Sequence, residues 1–406
     1  MINIAILGYG TVGSGVVEVL ETNKDSINKK AGTEIHIKYI LDLRDFPGSS
    51  IEGILTKDYN EILNDKEVDI VVEVMGGIHP AYEFSKKALE AGKNVVTSNK
   101  ELVASHGPEL LNLARKNSIN YLFEASVGGG IPIIRPLNKS LTADEISEIT
   151  GILNGTTNYI LTKMTDEGSA FADVLKEAQD LGYAEKNPAA DIEGHDACRK
   201  IAILSSLAYG KHVDFENIYT EGITKIRPAD LAYAKELGYQ IKLLATSKKI
   251  KDKAYALVAP MMIPNSHPLS NVHGVYNAIF VNGNVIGNIM FYGSGAGKLP
   301  TASAVVADIV DACIHVNKNI ITNWYSKDME LLPLSEVPSQ MFIVLEGHGH
   351  QDPIEDLFGK VTYIHSENET VFITGHSTEG VLANAFSELE SKYKLNILSR
   401  IRIEKR

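Results

Sequence analysis

At 406 residues and 44% hydrophobic, with a formal net charge of -12, the chain can core two or three domains and has no basic cluster of the kind nucleic-acid binding needs. Its two cysteines, Cys198 and Cys313, form neither a disulfide framework nor a zinc ligand set. The N-terminal apolar run is too short for a signal peptide and no later run is long enough to span a bilayer, so a cytoplasmic protein without nucleic-acid or membrane partners is expected.

Ile2 to Leu7 is a short apolar run that enters Gly8-Tyr9-Gly10-Thr11-Val12-Gly13-Ser14-Gly15 directly, and Val16, Val17, Val19 and Leu20 then recur with mostly helical spacing. Strand, glycine turn and helix in that order predict a dinucleotide site. The glycines permit a tight turn, close backbone approach to a pyrophosphate and close helix-to-strand packing, and the helix N-terminus faces the anion. A second strand is expected over Ile35 to Leu41, after a connection lengthened by a loop rich in Asn and Lys, with Asp42 just past its end. An acid there bonds an adenosine ribose and favours NAD, whereas Arg44 would meet a 2′-phosphate and favour NADP; both cofactors stay open.

Asp69 to Val74, Asn94 to Thr97 and Tyr121 to Glu124 read as further parallel strands, with a helix over Pro80 to Ala91. The alternation predicts an α/β, Rossmann-type doubly wound sheet over residues 1–130. Ligands bind beyond the carboxyl ends of such strands, which singles out Met75-Gly76-Gly77, Ser98-Asn99-Lys100 and Ala125 to Gly130. A lysine in a loop is usually solvated surface, but Lys100 closes a strand at the ligand edge.

After Pro132 the pattern changes. Helical segments (133–141, 159–167, 170–181) mix with strands (146–153, 254–263, 278–291), and Asn282-Gly283 signals a two-residue hairpin, so an α+β domain is expected over 131–330. Pro300 opens a helix over 300–316 that is expected to pack back on the first domain. Beyond a linker at 333–338, residues 339–406 follow a β-α-β-β-α-β order, which is ferredoxin-like.

The chemistry concentrates between Glu185 and Lys200. A loop restrained by Pro188 carries Glu185, Asp191 and Glu193, and a helix is expected to start near His195 with Asp196 in its first turn. Asp196 and Lys200 share a face, and on a solvated helix such a pair is worth only about 0.2–0.5 kcal/mol. Here the same stripe runs on through Ile203 and Leu207, so the pair stands where solvent gives way to core, and a lysine there can serve as acid or base. Two lysines and several acids beside a nicotinamide suit reduction of a carbonyl on an amino acid. No Ser/His/Asp order, metal motif or Walker loop competes.

These residues resemble the homoserine dehydrogenase family. The Gly8 to Gly15 turn, Val74 to Gly77, Thr97 to Lys100, Phe123 to Gly128, Gly151 to Tyr159, Asp191 to Lys200 and Gly293 to Ala304 match its motifs in order, along roughly the first three-quarters of the chain. The resemblance implies interconversion of L-homoserine and L-aspartate 4-semialdehyde by hydride transfer with NADP or NAD, in threonine and methionine biosynthesis, by a homodimer formed through the central catalytic domain. It implies that Lys200 donates the proton to the carbonyl oxygen during reduction, that Lys100 assists at substrate and nicotinamide, and that Asp196, together with Glu185, holds the homoserine. Glu185, Asp191, Thr156 and Tyr183 are implied at the substrate. Gly8, Gly10, Thr11, Val12, Gly13, Asp42, Arg44, Met75, Gly76, Ser98, Lys100, Gly182 and Gly297 are implied at the cofactor. A monovalent cation such as Na+ is implied at Glu124 and the carbonyls of Val127, Gly129 and Ile131.

Two departures stand out. Many relatives place a basic residue directly after the second strand, where this chain has Asp42, which leaves the choice between NAD and NADP open. The C-terminal order is that of an ACT-like domain, yet Asp352-Pro353-Ile354 replaces the usual Asp-x-Pro-Gly turn, so threonine inhibition is not part of the expectation. A sensor that had kept the fold and lost the chemistry would lack Lys100 or Lys200, and both are present. Because the two lysines fall in different predicted domains, the site is expected in the cleft between them.

Overall fold

A computed structural model describes residues 1–404. Two compact units emerge, one built from 1–146, 202–216 and 282–329 and the other from 147–201, 217–281 and the chain from 330 onward. The chain opens with β1 (Ile2–Leu7), α1 (Thr11–Thr22), α2 (Lys24–Ala31), β2 (Ile35–Leu41), β3 (Leu55–Thr56) and α3 (Tyr59–Asn64). β4 (Val68–Glu73), α4 (Ala81–Glu90), β5 (Asn94–Thr97), α5 (Lys100–Lys116) and β6 (Tyr121–Leu122) follow. The six strands form one parallel sheet in the order β3-β2-β1-β4-β5-β6. This is the expected doubly wound fold, whose order reverses between β1 and β4 and so opens a ligand crevice at their carboxyl ends. Ile4, Ala5, Ile6 and Leu7 of β1 and Val71 and Val72 of β4 are wholly buried, as strands covered on both faces must be.

Local details differ from the sequence reading. The Asn- and Lys-rich stretch before Ala31 is not a loop but α2, which buries Ile27 and Ala31 and ends on Gly32 in a left-handed conformation. The strand expected over Tyr121 to Glu124 stops at Leu122, and Glu124 opens a 3₁₀ turn. β3 and α3 were not legible, since two residues carry no periodicity and six make less than two helical turns.

The chain continues through β7 (Ile146–Ile152), α6 (Gly155–Glu167), α7 (Phe171–Asp180), α8 (Ala189–Ile192), α9 (His195–Tyr209), β8 (Lys211–His212), β9 (Tyr219–Thr220) and α10 (Pro228–Glu236). Next come β10 (Tyr239–Ile250), β11 (Lys253–Pro264), β12 (Tyr276–Gly283), β13 (Gly287–Ser294), α11 (Lys298–Ile314) and β14 (Tyr325–Asp328). In the first unit, Ala302, Val305 and Ile309 of α11 share a core with Ile4, Ile6, Val16 and Val72. The turn after β12 falls at 284–286 rather than at Asn282-Gly283. Asp144 Oδ1 accepts the N–H groups of Val285 and Ile286, and Gly287 supplies the positive φ, so a three-residue turn replaces the two-residue one.

In the second unit a sheet runs β12-β7-β10-β11, with β10 and β11 paired antiparallel from Tyr239 opposite Pro264 to Ile250 opposite Lys253. Sequence reasoning missed β10 because Lys242, Lys248 and Lys249 interrupt its apolar pattern. Lys242 is nonetheless buried, its Nζ 2.7 Å from the Val272 carbonyl and 3.2 Å from Asn158 Oδ1, and burial pulls its ammonium down to about 8.

The C-terminal segment holds β15 (Pro338–Ser339), β16 (Met341–Glu346), α12 (Gln351–Phe358), β17 (Thr362–Ile364), β18 (Glu369–Ile373), β19 (Ser377–Thr378), α13 (Glu379–Ser391) and β20 (Ile397–Ile403). Its principal strands align β20-β16-β18-β17, the ferredoxin-like order, over a core that includes Ile343, Phe372, Phe386 and Leu389. β20 also runs parallel to β11, so this layer continues the central sheet of the second unit. Among the described residues no helix is long and apolar enough to cross a membrane.

Candidate active site

In the first unit the residues singled out by sequence gather at the carboxyl ends of β1, β2, β4 and β5. A Cβ on Gly13 would lie 2.0 Å from the Gly8 carbonyl oxygen, so only glycine lets α1 start this close to the end of β1. A Cβ on Gly10 would meet nothing within 4 Å, and no side chain caps α1. The first-turn N–H groups of Thr11, Val12 and Gly13 therefore have no side-chain cap, and a helix N-terminus of this kind suits an anion.

Asp42 and Arg44, whose signals conflicted in the sequence, form one ion pair. Asp42 accepts the N–H groups of Tyr9 at 2.8 Å and Arg44 at 3.0 Å, while the guanidinium folds back with Nε 2.9 Å from Oδ1 and Nη2 2.8 Å from Oδ2. Hydrogen bonding to the guanidinium holds the Asp42 carboxyl well below the usual carboxylate range. The Arg44 guanidinium also lies 5.1 Å from the centre of the Phe46 ring.

Met75, Ser98 and Lys100 follow β4 and β5. Lys100 is half-buried and is the first residue of α5 rather than a loop residue. Asn99 caps that helix, its Oδ1 accepting the Leu102 N–H at 3.1 Å while its Nδ2 donates to the Gly77 carbonyl at 2.6 Å. Behind them Glu73 accepts the Met75 N–H at 2.8 Å and the Thr97 hydroxyl at 2.6 Å. Gly76 is exposed, and Gly297, at φ +115, precedes the first turn of α11.

The acid and lysine cluster lies in the second unit. Lys200 Nζ is 2.7 Å from Asp196 Oδ2 and 2.8 Å from the Leu153 carbonyl, and the two residues are only 8% and 3% exposed. A pair this far from water is held more strongly than a surface pair and tolerates the loss of either partner poorly. Asn154 ties it to the preceding loop. Its Oδ1 caps α6 by accepting the Thr157 N–H at 2.9 Å, and its Nδ2 lies 2.7 Å from Asp191 Oδ1 and 3.0 Å from Asp196 Oδ2. Lys200, Asp196 and Asp191 are thus brought together by an amide that sequence reasoning did not assign. The available signal was an Asn directly before Gly-Thr-Thr at a helix start.

Other residues of the set sit around this cluster. The Thr156 hydroxyl donates to the Tyr183 carbonyl at 2.7 Å, and the Tyr183 ring meets Tyr159 edge-on at 5.1 Å. Glu185 is exposed on the loop after α7, and its carbonyl accepts Gln179 Nε2 at 3.1 Å. Gly182, at φ +76, closes α7.

Glu124 is buried in the first unit. Its carboxylate accepts the N–H groups of Ile133 at 2.6 Å, Ile134 at 2.8 Å and Arg135 at 2.8 Å, with Arg135 Nη1 3.8 Å away. A carboxylate offers about four acceptor positions, and these three N–H groups occupy three of them. No group of three or more His, Cys, Asp or Glu is arranged to hold a metal among the described residues. Beside it, burial and the Glu124 charge push the Asp308 carboxyl up to about 8, against the Arg135 guanidinium 2.5 Å away.

Comparison with known proteins bears on both clusters. A family profile described as homoserine dehydrogenase matches residues 132–310, and one described as homoserine dehydrogenase, NAD binding domain, matches residues 8–124. The chain is similar to a homoserine dehydrogenase of Neisseria gonorrhoeae, with 49% identity over 76% of this chain and 72% of the relative. It is similar to that of Helicobacter pylori, with 40% identity over 96% of each. Among solved structures it resembles a homoserine dehydrogenase from Thiobacillus denitrificans, with a TM-score of 0.93 at 37% identity over 100% of this chain and 98% of that one. It also resembles a hyperthermophilic archaeal homoserine dehydrogenase in complex with NADPH, with a TM-score of 0.66 at 32% identity over 77% of this chain and 97% of that one.

Proposed function

The chain belongs to the homoserine dehydrogenase family, oxidoreductases of amino-acid biosynthesis with an NAD-binding domain, and on that premise we propose that Lys200 is its proton-transfer group. The observation that carries this reading is the buried Lys200–Asp196 pair fastened by Leu153 and Asn154. An ammonium has three protons. Two are directed at Asp196 and the Leu153 carbonyl, which leaves the third for the substrate oxygen.

A nicotinamide dinucleotide held at the Gly8 to Gly13 turn would supply the hydride to the substrate carbon or take it up. In reduction of L-aspartate 4-semialdehyde the Lys200 ammonium gives a proton to the oxygen and is left as the neutral amine, and in oxidation of L-homoserine that neutral amine takes the hydroxyl proton. Asp196 aims the ammonium, and Asp191, Thr156, Tyr183 and Glu185 hold the amino acid. Lys100, at the head of α5, assists at substrate and nicotinamide. The threonine and methionine routes are the pathways this reaction serves.

A monovalent cation at Glu124 and the carbonyls of Val127, Gly129 and Ile131 belongs to the same reading, tested by turnover with and without Na+. So does a homodimer. β13 is an edge strand with Met290 39% and Tyr292 53% exposed, an apolar edge that a second copy would cover. Sedimentation equilibrium tests it.

For the cofactor, Asp42 serves the ribose hydroxyls of NAD, and Arg44 swings onto the 2′-phosphate of NADP. The Arg44 side chain is 60% exposed, and a pair open to solvent at one end is worth about 1 kcal/mol, so the guanidinium can move and the two specificity constants should agree within about tenfold. Oxidation of NADH and NADPH followed on adding aspartate semialdehyde checks this. No turnover with either would sink the enzyme reading, and a preference beyond about a hundredfold would sink dual use.

A further inference from the structure

Glu73 ends β4 with none of its surface exposed, between Leu7 of β1 and Thr97 of β5. The residues just before it are Ile70, Val71 and Val72, and a fourth aliphatic side chain would fill the same space without a buried charge. Burial pushes the carboxyl up to about 7, against hydrogen bonds from Thr97, Met75 and Asn99 that pull it down.

Its two oxygens reach two separate loops at the ligand edge. Oε1 accepts the Met75 N–H at the head of the Met75-Gly76-Gly77 turn, and Oε2 accepts the Thr97 hydroxyl. Thr97 Oγ1 accepts the Asn99 N–H at 3.0 Å, and Asn99 both caps α5 and returns to the Gly77 carbonyl. The contacts close a ring that joins both loops, and Lys100 is the next residue along the chain.

We propose that Glu73 is a positioning residue for the reaction: its carboxylate, acting through Thr97 and Asn99, fixes the start of α5 and with it Lys100. The inference rests on the role given to Lys100 above. Only the ionised form completes the ring. A protonated Glu73 would donate to Thr97, whose oxygen would then accept twice, leaving its own hydrogen without an acceptor in a buried site. Leu7 and Thr97 on the flanking strands carry no charge. Tyr121 on β6 feels this carboxylate, and burial pushes its own ionisation well above the usual tyrosine range, so of these two Glu73 is the one that loses a proton near neutrality.

The test compares wild type, Glu73→Gln, Thr97→Val and the double variant in homoserine oxidation at pH 8, with amide hydrogen exchange measured on the same proteins. Glu73→Gln keeps an acceptor for Met75 but none for the Thr97 hydroxyl. Its kcat should fall about tenfold, the rate equivalent of one charge-assisted hydrogen bond, while the KM for either substrate moves by less than about threefold. The component of the wild-type kcat profile that rises through about pH 7 should vanish in Glu73→Gln, and the double variant should be no slower than the slower single one. Exchange at residues 99–102 should accelerate in Glu73→Gln. A kcat within about twofold of wild type, or multiplicative effects in the double variant, overturns the proposal. Were wild type itself inactive on homoserine, the proposed function would fall, and unchanged exchange at 99–102 would separately overturn the link through Thr97.

Discussion

Lys200 owes its candidate role to where its neighbours point. Asp196 one turn earlier and the Leu153 carbonyl from the end of β7 take two of its protons, and both partners stand in nearly dry surroundings. Lys200→Ala should lower turnover by about 10²-fold or more, as loss of a positioned proton donor does, with cofactor affinity little changed. Steady-state kinetics beside a cofactor titration checks this, and near-normal turnover would assign the proton to another group. The pair itself was legible, since two residues four apart on a helix leading into an apolar stripe have little freedom. Asn154, which links Asp196 to Asp191, lies 42 positions before Asp196 in the chain, and no local rule connects residues that far apart.

At the scale of elements, a close helix contact in the first unit passes through Gly15. A Cβ there would lie 2.8 Å from the Lys298 carbonyl oxygen and 3.0 Å from Ala302 Cβ, so α1 and α11 touch almost backbone to backbone. Gly15→Val should destabilise the protein by about 1–3 kcal/mol, the usual range for overpacking, seen as a lower denaturant midpoint with an unchanged slope. An unaltered midpoint would mean that α11 gives way freely. The motif announced a glycine at this position, but its partner, some 280 residues later, appears only when the chain is folded. α2 and β10 teach the same lesson. Their polar residues obscure the period, and each is held by tertiary burial, of Ile27 and Ala31 in one case and of the Lys242 strand in the other.

Across the molecule, buried charges set how stability responds to mutation and pH. In the second unit Arg402 is 8% exposed and reaches Glu379 twice, at 2.7 and 3.0 Å, and Glu221 at 2.8 Å, so β20, α13 and the loop after β9 share one guanidinium. Arg402→Met strands the buried Glu379 carboxylate and should lose about 3–5 kcal/mol in urea unfolding. A loss below about 1 kcal/mol would show that the carboxylates relax into water. For Glu73 the sign follows from a folded pKa of about 7, raised above the ordinary 4.5. Its contribution is fully present below the unfolded value and is lost as pH rises through 7. Glu73→Gln should therefore match wild type near pH 4 and exceed it by about 3 kcal/mol at pH 8, while being the slower enzyme. Equal stability at both pH values would place the carboxylate in a wetter site than its burial implies.

Sequence alone determined five of the six strands of the first sheet, the glycine turn, the order of the C-terminal layer and the Asp196–Lys200 pair, because each depends on a period or a spacing within a few residues. Tertiary structure decided that Asp42 and Arg44 neutralise each other, that Glu73 joins two loops, that the hairpin turns at 284–286 and that β20 extends the central sheet. Those outcomes depend on which distant hydrogen-bond partner is within about 3 Å once the chain is packed. Spacing along the sequence carries no record of that distance.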